Sequence, residues 1–208
     1  MKNKKILVLI ILIIMIVTIV ALIIAIPKIQ LNKSVNYLKN GEYKEAYQYI
    51  NNKSNEENKE IVKELITEIF CDRADKGFQR LNNIANQCTN IMKSVDRDNI
   101  DYTLDDNVNS DVLALSNYIL LEDEISSDMI SDELRDCYTK YFYILKYVKE
   151  NFYDVLDHIN DAEFISNVAN IGTDMNKMAS DLYSYADNHK FKAKTQDIYQ
   201  EIKSYIVK

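Results

Sequence analysis

Residues 6–26, ILVLIILIIMIVTIVALIIAI, contain no charged side chain, and the hydroxyl of Thr18 is their one polar side-chain group. Wound as an α-helix they extend about 31 Å, which matches a bilayer hydrocarbon core of about 30 Å. A helix satisfies its own backbone donors and acceptors, so lipid can surround such a segment without orphaned amides. The stretch reads as a transmembrane signal-anchor helix whose partner is the lipid bilayer.

The flanks set the orientation. Lys2, Lys4 and Lys5 precede the apolar run, and Pro27 and Lys28 close it. A cleaved secretory signal is the competing reading, but the run exceeds the usual apolar region of about 7–15 residues. Ala25 has Ile23 two places before it, so the A-x-A cleavage pattern is also missing. A lipoprotein anchor needs a cysteine near the end of the run, whereas the first cysteine is Cys71. Lys28, Lys33 and Lys39 follow the span, so only the density of lysines before it favours a cytoplasmic N-terminus. The expected organisation is a basic cytoplasmic tail at 1–5, the span at 6–26, and an extracytoplasmic domain at 28–208 in the cell envelope.

Three Gly and one Pro among 208 residues are far below ordinary usage, which predicts long helices and few tight turns. The net charge is −7, and the remainder of the chain is more acidic still once the three N-terminal lysines are set aside. Such a surface repels phosphate backbones, so no nucleic-acid partner is expected.

Working outward from the span, residues 28–95 read as a helical hairpin followed by a long helix. The hairpin turn is carried by Gly41-Glu42-Tyr43-Lys44-Glu45-Ala46. This resembles the inter-helix turn and second-helix start of a tetratricopeptide repeat, where glycine permits the turn and alanine lets two helices approach. The resemblance covers about fifteen residues, and no second copy follows at the 34-residue period. Lys33 and Ser34 stand where that family places leucine and glycine, so its peptide-binding groove does not carry over. The resemblance implies a local helix–turn–helix packed through Tyr37, Leu38, Tyr43, Ala46 and Ile50.

Ser54 is the expected cap of the long helix, with Glu56 and Glu57 at its positive end. Its second half places Ala74, Phe78, Leu81, Ala85, Cys88, Met92 and Val95 at alternating intervals of four and three, a heptad seam. Gly77 inside that seam predicts a kink. Residues 96–109 read as a polar loop. Asp105-x-Asn107-x-Asn109-x-Asp111 has the oxygen spacing that opens a calcium loop, but Ser110 and Ser116 occupy the positions that need Gly and Glu.

Residues 110–208 read as a helical bundle. A short helix carries Val112, Leu113, Leu115, Ile119 and Leu120, and the acidic run from Glu122 to Asp128 reads as a solvated connection. A helix over 132–159 carries Leu134, Tyr138, Tyr141, Leu145, Val148, Phe152, Val155 and Ile159. The next repeats the spacing with Phe164, Val168, Ile171, Met175, Met178, Leu182 and Tyr185. Two heptad helices joined so briefly are expected to lie antiparallel, seam against seam. A last helix presents Ile198, Ile202 and Tyr205. The predicted fold is therefore all-α: a transmembrane helix followed by an elongated antiparallel helical bundle, with Phe78, Leu81, Cys88, Leu145, Val148, Phe152, Val168, Met175 and Leu182 as core packing.

Catalytic and metal motifs are missing from the sequence. His158 and His189 are the two histidines, and neither has an H-E-x-x-H or E-x-x-H spacing. A phosphate-binding loop or a nucleophile elbow needs glycines that this chain lacks. Cys71 and Cys88 on one continuous helix would be about 26 Å apart, beyond disulfide reach. No cofactor and no enzymatic activity are expected. The fifteen tyrosines are the remaining signal. Tyr143, Tyr147 and Tyr153 fall beside or opposite the seam and are the candidate partner-binding face, because tyrosine suits surfaces that are alternately wet and buried. The expectation is a membrane-anchored interaction or structural module of the envelope, binding a protein partner or a second copy of itself. The alternative is a ligand-binding sensor ectodomain signalling through a partner membrane protein.

Overall fold

The computed structural model describes residues 2–53, 55–94, 106–153, 162–188 and 193–206, and all regular structure among them is helical. In chain order the helices are α1 (Lys2–Lys39), α2 (Tyr43–Asn51), α3 (Glu56–Ser94), α4 (Asp106–Ile119) and α5 (Leu121–Glu124). Two 3-10 turns, Ser127–Met129 and Asp132–Leu134, lead into α6 (Arg135–Asn151), α7 (Ala162–Asn188) and α8 (Ala193–Ile206). The contacts divide the chain into two compact units, Met1–Lys63 with Ile198–Lys208, and Glu64–Asp197.

The first unit is built on α1, whose 38 residues carry the apolar run and continue past Pro27 without a break. Within the described side chains, Ile13–Lys39 is the one helix long and apolar enough to cross a membrane, with a mean hydropathy of 2.4 and none of its most apolar stretch buried. Beyond the run the helix turns amphipathic: Leu31, Ser34, Val35 and Leu38 are buried at intervals of three and four. Gly41 ends it with φ +77°, the left-handed conformation that glycine adopts without steric cost. The Glu42 amide donates to the Tyr37 carbonyl at 2.9 Å and the Gly41 amide to Leu38 at 3.1 Å, a Schellman closure. The chain reverses into α2, which buries Tyr43, Ala46 and Ile50.

The start of α3 is capped by Asn55, whose Oδ1 accepts the Asn58 amide at 2.8 Å. Ser54, the expected cap, lies outside the described residues. Asn58 is itself buried and donates its Nδ2 to the Pro27 carbonyl at 2.8 Å, which pins the beginning of α3 to the point where the apolar run ends. Lys39 pairs with Glu201 of α8 at 2.6 Å. α8 buries Tyr199 and Ile202, whereas Tyr205, placed on its apolar face by spacing, is 56% exposed.

The second unit centres on α3 and α6. From α3 come Leu65, Ile66, Ile69, Phe70, Ala74, Phe78, Leu81 and Ile84. The expected seam therefore drifts after Leu81: Ile84 is buried, and Ala85 is exposed. The larger residue takes the core position because it removes more apolar surface from water. Cys88 and Val168, expected core residues, have side chains outside the described part, as have Met92 and Val95. On α6 the buried face includes Cys137, Tyr138, Tyr141, Phe142, Ile144 and Leu145, and Phe152 follows it. This face is wider than a heptad seam, because α6 packs against both α4 and α7. Val148 and Met175 are half-buried rather than core, while Met178, Leu182 and Tyr185 of α7 are buried. α6 ends at Asn151 instead of reaching 159, and Val155, His158, Ile159, Asn160 and Asp161 lie outside the described residues, as does His189.

Two expectations are corrected between 106 and 134. α4 begins at Asp106, so Asn107 and Asn109 stand on a helix and not in a polar loop reaching 109. The acidic connection is not simply solvated. Glu122 pairs with Lys146 and Glu124 approaches Arg73 at 3.4 Å, while Leu121, Ile125, Met129, Ile130 and Leu134 are buried. The Ser131 amide donates to the buried Thr67 hydroxyl at 2.9 Å, and the Tyr138 hydroxyl donates to the Ile125 carbonyl at 2.5 Å. On α4, Leu113 is exposed and Val108, Val112 and Leu115 form the inner face, and Leu120, just past its end, is exposed as well.

Candidate functional site: an aromatic pair and an amide-lined cleft

The three tyrosines singled out by pattern take different positions. Tyr143 and Tyr147 are one helical turn apart on the outer side of α6, with ring centroids 6.2 Å apart and planes tilted by 32°. Tyr143 is 61% exposed and Tyr147 half-buried. Tyr153 lies past the end of α6, its ring edge-on to Phe152 at 5.3 Å and its hydroxyl 3.4 Å from Asn109 Oδ1 on α4. Six residues advance a helix by about 240° beyond one full turn, so Tyr153 does not continue the Tyr143–Tyr147 side. The structure brings two of the three together and turns the third toward α4.

A cleft between α3 and α4 was not singled out by the sequence reading. Asn83, Asn86 and Gln87 occupy one side at helical spacing, Asn107 and Asp111 the other, and Val108 the floor, around a cavity of about 160 Å³. Asp111 is nearly buried and pairs with Arg80. Its hydrogen bond to Asp111, and next the one to Tyr118, raises the Arg80 guanidinium above its ordinary pKa. The cleft offers carboxamides, each both donor and acceptor, which suits a small uncharged polar ligand better than an ion. Spacing alone hid it, because the run around Asp105–Asp111 looks like a turn until α4 is seen to begin at Asp106.

The core between the two central helices is aromatic. Phe70 stands 5.3 Å from Tyr138 and 5.9 Å from Tyr141, and Tyr141 meets Phe78 at 5.2 Å. The Tyr141 hydroxyl is buried without a hydrogen-bond partner among the described residues and lies against Gly77. A Cβ at residue 77 would fall 2.0 Å from that oxygen, so the glycine is a clearance for the tyrosine. Burial raises the Tyr141 pKa, and that of Tyr138, well beyond the ordinary phenol.

The described cysteines are equally quiet. Burial, with Asp181 and Asp136 adding to it, pushes the Cys137 thiol up to about 12. Its Sγ lies 3.9 Å from the Met178 carbonyl. Burial, with Glu68 next in effect, also raises Cys71. Both thiols are free and protonated at neutral pH, the opposite of what a nucleophilic or metal-binding thiolate requires. Among the described residues no group of three or more His, Cys, Asp or Glu side chains converges as a metal site. The geometry is thus one of surfaces and a small polar cleft. No family model, curated protein or solved structure matches the chain.

Proposed function

We propose that this chain is a single-pass membrane protein, N-terminus in the cytoplasm, that presents a non-enzymatic helical domain outside the cell membrane. The domain binds a protein of the envelope or a second copy of itself, with α6 and α7 stacked antiparallel along their apolar faces to hold the tyrosine-bearing side of α6 outward. The observation that carries this reading is the surface of α1. Large apolar side chains from Ile13 to Ile29 are between 46% and 69% exposed, with Thr18 hydrogen-bonded back to the Ile14 carbonyl at 2.8 Å. A water-soluble monomer does not leave so continuous an apolar surface uncovered, and lipid covers it at no cost. Protease treatment of intact cells tests the topology: digestion of the region after residue 28 is expected. Full protection in intact cells with digestion in broken ones would reverse the orientation.

The cleft lined by Asn83, Asn86, Gln87, Asn107 and Asp111 favours a second reading, a sensor ectodomain that passes ligand occupancy to a partner membrane protein. A small polar ligand at a hundred times its Kd would then stabilise the purified full chain by about 2.7 kcal/mol. Thermal melts across a panel of uncharged polar small molecules, none of which shifts Tm, would remove this reading.

A further inference from the structure

We infer that the turn between α2 and α3 is seated in the lipid headgroup layer, with Lys28 as its phosphate-binding cation; the inference rests on the reading of α1 as a membrane span. The apolar run ends at Ile26, and the interfacial layer beyond a hydrocarbon core is about 5–8 Å deep. At 1.5 Å per residue, Pro27 to Leu31 crosses about 6 Å of it.

Three contacts set the height of the turn. The Tyr37 and Tyr49 rings stand 6.0 Å apart, and the Lys33 ammonium lies 4.7 Å from the Tyr49 ring centre. Tyr49 is therefore level with about residue 35 of α1. Because α2 returns from the Gly41 turn along α1, each residue further along α2 descends by about 1.5 Å. The Lys53 backbone falls level with Leu31, while its ammonium reaches back to lie 4.8 Å from the Tyr49 ring centre. The bond from Asn58 Nδ2 to the Pro27 carbonyl then brings the first turn of α3 down to the end of the apolar run. Both ends of the turn are thus held within the depth of the headgroups.

The charges fit that position. Lys28 is exposed and Lys53 half-buried, while Lys59 is matched by Glu56 at 2.7 Å and Glu57 occupies the first turn of α3. Seating this turn gives the first unit a second attachment beside its span and fixes its orientation on the membrane.

The test uses the full chain in vesicles of phosphatidylcholine and phosphatidylglycerol, with one fluorescent side chain replacing Asn52, Lys44 or Ile16. Lys44, at the other end of α2, is level with about residue 40 and so about 20 Å beyond Pro27. Nitroxide on the lipid headgroup is expected to quench position 52 at least three-fold more than position 44. Equal quenching at 52 and 44, with position 16 quenched by nitroxide on the acyl chain, overturns the seat while leaving the span intact. No acyl-chain quenching at 16 overturns the span and the seat together. Lys28→Gln is expected to lower quenching at 52 by a quarter or more, and unchanged quenching overturns the role of Lys28.

Discussion

Gly77→Ala is the substitution for which propensity and packing give opposite answers. In an exposed helix interior, replacing glycine by alanine stabilises by about 1 kcal/mol. At Gly77 the added methyl would stand 2.0 Å from Tyr141 Oη, 3.0 Å from Cζ and 3.3 Å from Cε2. The ring cannot retreat freely, because Phe70, Phe78 and Phe142 stand 5.1 to 5.9 Å from it and Tyr141 is wholly buried. Overpacking of this kind costs about 1–3 kcal/mol, and the worst contact argues for the upper end. Set against the propensity gain, Gly77→Ala is expected to destabilise by about 1–2 kcal/mol, a fall in Tm of about 2–8 °C. Tyr141→Phe has the reverse sign. It removes a buried hydroxyl that has no partner, and is expected to stabilise by about 1 kcal/mol. The two changes share one contact, so their effects do not add, and the double variant is expected to lie at least about 0.5 kcal/mol above the sum of the singles. Urea unfolding of the detergent-solubilised chain, followed by circular dichroism, measures all three. A Gly77→Ala variant more stable than the parent, or a cycle that closes additively, would refute the account of Gly77 as clearance for Tyr141.

Gly41→Ala is expected to destabilise by about 1 kcal/mol for the opposite reason, backbone strain at φ +77° with nothing within 4 Å of the new methyl, and Gly41→Asn by less; the same unfolding assay ranks them. Thr67→Val keeps the shape of a fully buried residue while denying the Ser131 amide its acceptor, and should cost about 1–3 kcal/mol. Stability should also decline in alkali. The folded state holds Cys137 protonated up to about 12 against an ordinary 9.0, so its contribution is whole below pH 9 and is lost between there and pH 12, as the unfolded thiol ionises first. By pH 11 this one group removes about 2–3 kcal/mol, and Tyr185, raised by burial from 10.0 to about 12, adds to the loss; unfolding midpoints flat from pH 9 to 11 would contradict both.

Long, strongly periodic helices were legible in the sequence, and short irregular segments were not. The apolar run, the glycine turn at 41, and the inner positions Phe78, Leu81, Leu145, Phe152 and Leu182 follow from spacing, because one residue type repeats on one face for several turns. The stretch from Leu121 to Leu134 defeats that method. Its five buried apolar residues are spread over one turn of α-helix, two 3-10 turns and the links between them, so no period persists long enough to register, and six acids interleave with them. Acidity there reads as solvation, yet Glu122 and Glu124 lie along cations of α6 and α3, because a side chain at the rim of a core can face a neighbouring helix while its backbone neighbours point inward.

Tyrosine is the residue for which composition says least, and α6 shows why. Tyr138, Tyr141, Tyr143 and Tyr147 lie within ten positions, and two are core, one is half-buried and one, Tyr143, is exposed. What separates them is the company at three and four residues. Tyr138 has Leu134 and Phe142 on its side, and Tyr141 has Cys137, Leu145 and Ile144, all apolar and buried. Tyr143 has Thr139, Lys146 and Tyr147. A phenol in the first setting must either find an acceptor, as Tyr138 does at Ile125, or go without, as Tyr141 does. In the second setting water satisfies it, and nothing in the fold requires the ring. Folding therefore explains Tyr138 through its bond to the connector and Tyr141 through its packing, and it leaves Tyr143 unexplained. If a partner covers any part of α6, the side bearing Tyr143 is where the aromatic surface has no other use. Tyr143→Ala should leave the unfolding midpoint within about 0.5 kcal/mol of the parent while weakening any complex or self-association recovered by cross-linking. A loss of stability with association unchanged would return Tyr143 to the fold.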